Sequence, residues 1–177
     1  YNKKGTVSAP YRLARKHAFI EIGNLMASFQ RMLQEPKSKQ NKLAQVYKLT
    51  VLNHTLLSSA ASLGTYIQSH KTSEASEAFN AVFDKVIIKL DNAITILKEG
   101  DVVPQTNLIN EDLSNRFIEL NKIRTRELQD ENIIDQEEIE LKKQETQLVI
   151  EQLIWLTSLS ENIVKTTQIL IKTKNEL

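Results

Sequence analysis

The sequence predicts an all-α fold, an antiparallel bundle of four to five long helices. Chain breakers are sparse, with 4 Gly and 3 Pro in 177 residues, so uninterrupted stretches are long. Leu, Ile, Lys, Glu, Gln, Asn and Ser dominate the composition, as in chains of long helices. Apolar residues recur at spacings of three and four along each stretch, the period of one helix face. The length supports one sizeable core and gives no reason for two domains. Residues 1–10, punctuated by Gly5 and Pro10, read as a leader to a single helical domain over 11–177.

The first helix is expected from Tyr11 towards Pro36, with Ala14, Ala18, Ile22, Leu25, Phe29 and Met32 as its buried stripe and Leu33 widening it. Arg12, Arg15, Lys16, Glu21 and Arg31 lie off that stripe. Pro36 ends the helix, because its ring clashes with a continuing turn and moves Glu35 out of the α region. The second helix is expected from about Ser38 to His70, with Val46, Leu49, Thr50, Asn53, Leu56, Leu57, Ala60, Leu63, Gly64 and Ile67 inward. Folding the chain back about Pro36 makes the two helices antiparallel and places Gly64 opposite Ala9 and Gly23 opposite Thr50. Each glycine costs about 1 kcal/mol relative to alanine in a helix, so each is expected to admit a close approach by another element.

The third helix is expected to begin at Thr72 or Ser73 as N-cap, with Glu74 and Glu77 in its first turn. Its inward stripe reads Phe79, Val82, Phe83, Val86, Leu90, Ala93, Ile94 and Leu97. Folded back on the second helix, Phe79 falls over Gly64, so helices one to three are expected as consecutive hairpins. Gly100 is the expected C′ residue, and Asp101 to Ile109, with Pro104, the one extended loop. A fourth helix starts at Asn110 and carries Leu113, Phe117, Leu120 and Arg124 towards an acidic connection, Glu127 to Glu131. The last helix opens on the capping box Asp135-x-x-Glu138 and runs to about Thr173. At about 1.5 Å per residue it is roughly 58 Å long. Leu148, Gln152, Leu156, Leu159, Ile163, Thr166 and Leu170 form its expected face, broadened by Val149, Leu153 and Trp155, while its first turns are polar nearly all round.

Charge and cysteine content narrow the function classes. A net charge of +1, with 25% charged residues, predicts no strongly acidic or basic partner. With no cysteine, disulfides and thiolate chemistry are excluded. The most apolar stretch, Leu49 to Ser69, lacks Lys, Arg, Asp and Glu but carries Asn53, His54, Gln68 and several Ser and Thr, too polar for lipid. The chain opens on Tyr1 rather than Met, and a portion of a longer polypeptide is expected. The cluster Lys122, Arg124 and Arg126 is too small, and too close to Glu119 and Glu127, to mark a nucleic-acid footprint.

The chemistry-bearing motifs are few. Lys3, Lys4, Arg12, Arg15 and Lys16 give five basic residues before the first acid, Glu21. Such a run is either a solvated helix start or a cluster held near anionic lipid headgroups. His17 and Glu21 have a ligand spacing of four, but no second pair accompanies them. A di-iron bundle needs Glu three residues before each His, where this chain has Ala14, Val51 and Ile67. No phosphate-binding glycine loop, nucleophile elbow or catalytic triad ordering is present. No cofactor is expected.

Two family resemblances bear on function. Tyr11-Arg12-x-Ala14-Arg15, then Phe29 to Lys37, then Asn53 to Ser58 with Leu63-Gly64, resemble the soluble C-terminal part of the fusaric-acid-resistance-like (FUSC, YccS-like) membrane proteins. The likeness covers roughly the first 70 residues. It implies a non-enzymatic domain on the cytoplasmic side of a bacterial inner membrane, following the membrane helices of an efflux transporter of aromatic acids, with an assembly or regulatory role. The implied partners are the transmembrane portion of the same polypeptide, an anionic lipid surface and further copies of the chain; no catalytic or ligand residue comes with the motif. The stretch from His54 to Gly64 is also similar to the phosphorylatable helix of histidine phosphotransfer domains, with His54 as the phosphotransfer site. That family has a Lys where Leu57 stands and a Gly where Ser58 stands, so the residues that would neutralise the phosphoryl group and admit a partner both differ. The plainer alternative makes His54 a partly buried residue hydrogen-bonding across the bundle, with Asn53 as a candidate partner.

Overall fold

A computed structural model of the chain describes residues 9–40, 42–69, 77–100 and 136–172, together with positions 115, 118–120, 122 and 126. Among these the fold is all-α, without strands. Four long helices are present: α1 (Ala9–Gln34), α2 (Leu43–Ser69), α3 (Glu77–Glu99) and α4 (Gln136–Lys172). A 3₁₀ turn, Lys37–Lys39, joins α1 to α2. The positions described between 115 and 126 are also helical. The expected caps Thr72, Ser73 and Asp135, the loop Asp101 to Ile109, the start at Asn110, the positions Leu113, Phe117 and Arg124, and the connection Glu127 to Glu131 lie outside the described residues.

Helix α1 is described from Ala9, two residues before the expected Tyr11. Pro10 sits in the first turn, where its missing N–H has no intrahelical acceptor to lose and its fixed φ suits a helix. At the other end Pro36 stops the helix, and Gln40 completes the stop. Its Nε2 donates to the carbonyls of Leu33 and Glu35, at 3.0 and 2.7 Å, which have no partner further along the helix.

The hairpin of α1 on α2 has the expected direction and nearly the expected register. Phe29 meets Tyr47, with ring centroids 5.4 Å apart, and Tyr11 meets Gly64. The consecutive-hairpin expectation fails beyond that pair. Helix α3 packs on α4 rather than on α2, and α4 lies between them as the central element. Phe79 is therefore not over Gly64; the Tyr11 ring is. Helix α2 runs antiparallel to α4. Lys42 Nζ donates to the Leu170 carbonyl at 2.8 Å, and Leu63 shares a cluster with Ile150 and Leu153 at the opposite end. Helix α3 runs parallel to α4, since Val82 and Val86 meet Ile150 to Leu156 while Ala93 and Ile96 meet Ile163 and Val164.

These contacts build two apolar clusters. The first joins Leu63, Val82, Val86, Leu120, Ile150, Leu153 and Leu156. The second joins Leu49, Ala93, Ile96, Ile163 and Val164. Leu56 and Leu90 pack against both. Buried Thr157 and Ser160 lie between them in sequence on α4, their hydroxyls bonded to the carbonyls of Leu153 and Thr157. Lys89 of α3 reaches Glu161 of α4 at 2.5 Å in the same region.

Burial refines the expected faces. On α3 the core residues are Val82, Val86, Ala93 and Ile96, while Phe83, Ile94 and Leu97 are exposed. On α4, Leu148 and Trp155 are exposed and Ile150, Ser160, Val164 and Thr167 are buried instead. Helix α4 is covered on two sides, so its buried arc is wider than a single stripe, and α3 turns towards α4 the face that a consecutive array would have turned towards α2. Gly100 holds φ +75 and donates its N–H to the Ile96 carbonyl, the left-handed C′ stop expected there.

Candidate functional site

Helix α1 packs on α2 alone among the described helices and buries no residue. Its expected inward residues Ala18, Ile22, Leu25, Phe29 and Met32 are half-buried, while Ala14 and Leu33 are exposed. An edge position explains this, since one neighbour covers only part of a helix surface. The remaining surface of its first three turns faces outward and carries the basic residues.

Arg12, Arg15 and Lys16 are all exposed there. None is in an ion pair among the described residues. The Arg15 guanidinium lies 5.8 Å from the Phe19 ring centroid, a cation–π distance that turns this charge along the helix surface. Leu13, Phe19 and Ile20 are exposed beside the cations. Lys3 and Lys4, the other members of the predicted cluster, lie outside the described residues. The apolar neighbours were missed in reasoning from the sequence, although Leu13 and Ile20 fall off the inward stripe and could have been found as misplaced hydrophobes. The surface thus combines cations with exposed apolar side chains, as on a helix lying at a lipid headgroup boundary.

His54 stands exposed on the outer side of α2, next to exposed Ser58 one turn on. The expectation of a partly buried, cross-bundle histidine is therefore corrected. Asn53 turns inward and donates its Nδ2 to the Leu49 carbonyl of its own helix at 2.8 Å. Leu57, where a phosphotransfer helix carries a Lys, is half-buried. No acidic or basic side chain of α2 lies between Lys48 and Ser69 to assist His54.

Among the described residues no group of His, Asp and Glu could hold a metal ion. None of the described helices is long and apolar enough to cross a membrane. Comparison of the chain with protein-family models, with curated proteins and with solved structures finds no match.

Proposed function

We propose that the chain is a non-enzymatic helical domain that lies against an anionic membrane surface through the outer face of α1, serving assembly or regulation of a membrane efflux protein of the fusaric-acid-resistance type. One observation carries the membrane part. Arg12, Arg15 and Lys16 are exposed beside exposed Leu13, Phe19 and Ile20 on a helix with no fully buried residue. Near a membrane each cation contributes about 1 kcal/mol, and the attraction fades within a Debye length. Exposed apolar residues among the cations add the burial that charge alone lacks. The family, the bacterial inner membrane and the cytoplasmic side rest on the sequence resemblance. The residues of that resemblance include Tyr11, Phe29 and Gly64, which join α1 to α2.

Co-sedimentation of the chain with vesicles tests the membrane part. The expected result is weak binding to anionic vesicles, none to zwitterionic ones, and loss of binding in high salt or on changing Arg12, Arg15 and Lys16 to Gln. Indifference to vesicle charge overturns it.

A second reading, histidine phosphotransfer, is favoured by the exposure of His54, which a phosphoryl acceptor requires. Phosphoryl uptake from a receiver domain, abolished by His54→Gln, establishes it; the membrane reading expects none.

A further inference from the structure

Helix α4 presents a second apolar face, away from both core clusters. Leu148, Trp155 and Ile169 are 55%, 47% and 50% exposed. With Asn162 they recur every seven residues. A repeat of seven drifts only about 20° per step around a helix, so the four lie along one shallow stripe. Half-buried Asn162 is the polar member of the row, its Nδ2 donating to the Ser158 carbonyl of its own helix at 3.0 Å.

Charge decides what fits this stripe. Its amino-terminal half carries exposed Glu151, and its carboxy-terminal half carries exposed Lys165 and Lys172. A parallel copy would set Glu151 against Glu151 and Lys165 against Lys165. An antiparallel copy does the reverse. A twofold axis at Ser158, midway between Glu151 and Lys165 in sequence, brings each Glu151 opposite Lys165 of the second copy. The same axis brings Trp155 opposite the second copy's Asn162 within one residue, and Leu148 opposite its Ile169 within one residue. The face is therefore complementary to itself, as an isologous twofold contact requires. We propose that this face of α4 pairs antiparallel with the same face of a second copy of the chain.

The full chain is sedimented at rising concentration across roughly 1–100 µM, where an interface of modest size associates. A monomer–dimer equilibrium is expected. Trp155 is the one tryptophan, so its fluorescence moves to shorter wavelength as the dimer forms. Trp155→Ala weakens association by roughly tenfold or more, as for a central aromatic anchor. Glu151→Lys disrupts the dimer and Glu151→Lys with Lys165→Glu restores it. The sites are exposed, and unchanged circular dichroism shows that the fold survives. The chain has no cysteine, so Ser158→Cys supplies a lone thiol that cross-links to itself across the axis, while Glu151→Cys does not. A monomer at every concentration, a dimer indifferent to Glu151→Lys, or cross-linking through Glu151→Cys in place of Ser158→Cys overturns the proposal.

Discussion

The hydroxyl of Tyr11 occupies the space in which a Cβ on Gly64 would stand, with the ring Cζ 3.0 Å from that point. A glycine near the carboxy-terminal end of α2 thus seats the first turn of α1. Gly64→Leu displaces the ring and should cost about 1–3 kcal/mol, the usual penalty of overpacking. Ser62→Leu, at an exposed position of the same helix, should stay within about 0.5 kcal/mol of the parent. Adding Tyr11→Ala should recover part of the Gly64→Leu loss, because the two residues share one space. Denaturant melts of the parent, of Gly64→Leu, Ser62→Leu and Tyr11→Ala, and of the Gly64→Leu, Tyr11→Ala double variant check this; additive effects contradict the contact.

Two other glycines should respond with opposite signs. Gly23 has nothing within 4 Å of an added Cβ and lies inside α1, so Gly23→Ala should stabilise by about 0.5–1 kcal/mol. Gly100 has the same open space but φ +75, so Gly100→Ala should destabilise by about 1–2 kcal/mol from backbone strain alone. Thermal melts of both variants give the comparison.

Core position, rather than apolar character, should rank substitutions on α2 and α4. Leu153 is fully buried between α2 and α3, so Leu153→Ala should cost about 2–5 kcal/mol. Half-buried Leu56→Ala should fall at or below the lower end of that range. Ile154→Ala, one residue along from Leu153 but exposed, should cost less than about 1 kcal/mol at concentrations where the chain is monomeric.

The Lys89–Glu161 pair spans α3 and α4 with the lysine buried and the glutamate partly exposed. Lys89→Met, which keeps the stem and removes the charge, should cost up to about 1 kcal/mol, since the partly exposed Glu161 can be hydrated once unpaired. Lys89→Ala should cost more, about 1–3 kcal/mol, because it removes the buried stem as well. Equal losses in urea melts would make charge, rather than packing, the main contribution.

Much of this arrangement was legible in the residues because helix period and turn chemistry are local. Pro36 and the stripe of α1 gave the first hairpin and its register, and Gly100 gave its own left-handed stop. What could not be read was which helix lies in the centre. The α3 stripe read from apolar spacing holds Val82, Val86 and Ala93, which are buried, together with Phe83, Ile94 and Leu97, which are exposed, and it lacks buried Ile96 and Lys89. Periodicity reports that a helix has an apolar side, not which neighbour covers it. Small hydroxyl residues hid the central helix in the same way. Thr157, Ser160, Thr166 and Thr167 are buried on α4, and all but Thr167 donate to carbonyls of their own helix. At the candidate site the basic residues are visible from charge alone, whereas the exposure of Leu13, Phe19 and Ile20 follows from α1 having one neighbour among the described helices.

Hydrogen exchange along the chain, with anionic and with zwitterionic vesicles at one protein concentration, tests the membrane-facing role of α1 most directly. Anionic vesicles should slow exchange over Ala9–Gln34, most strongly in the turns that carry Arg12, Arg15 and Lys16. Helices α3 and α4 should be unchanged, and high salt should remove the effect, because screening acts on exposed charges. Protection that falls on α3 or α4 while α1 exchanges as it does without lipid would contradict that role.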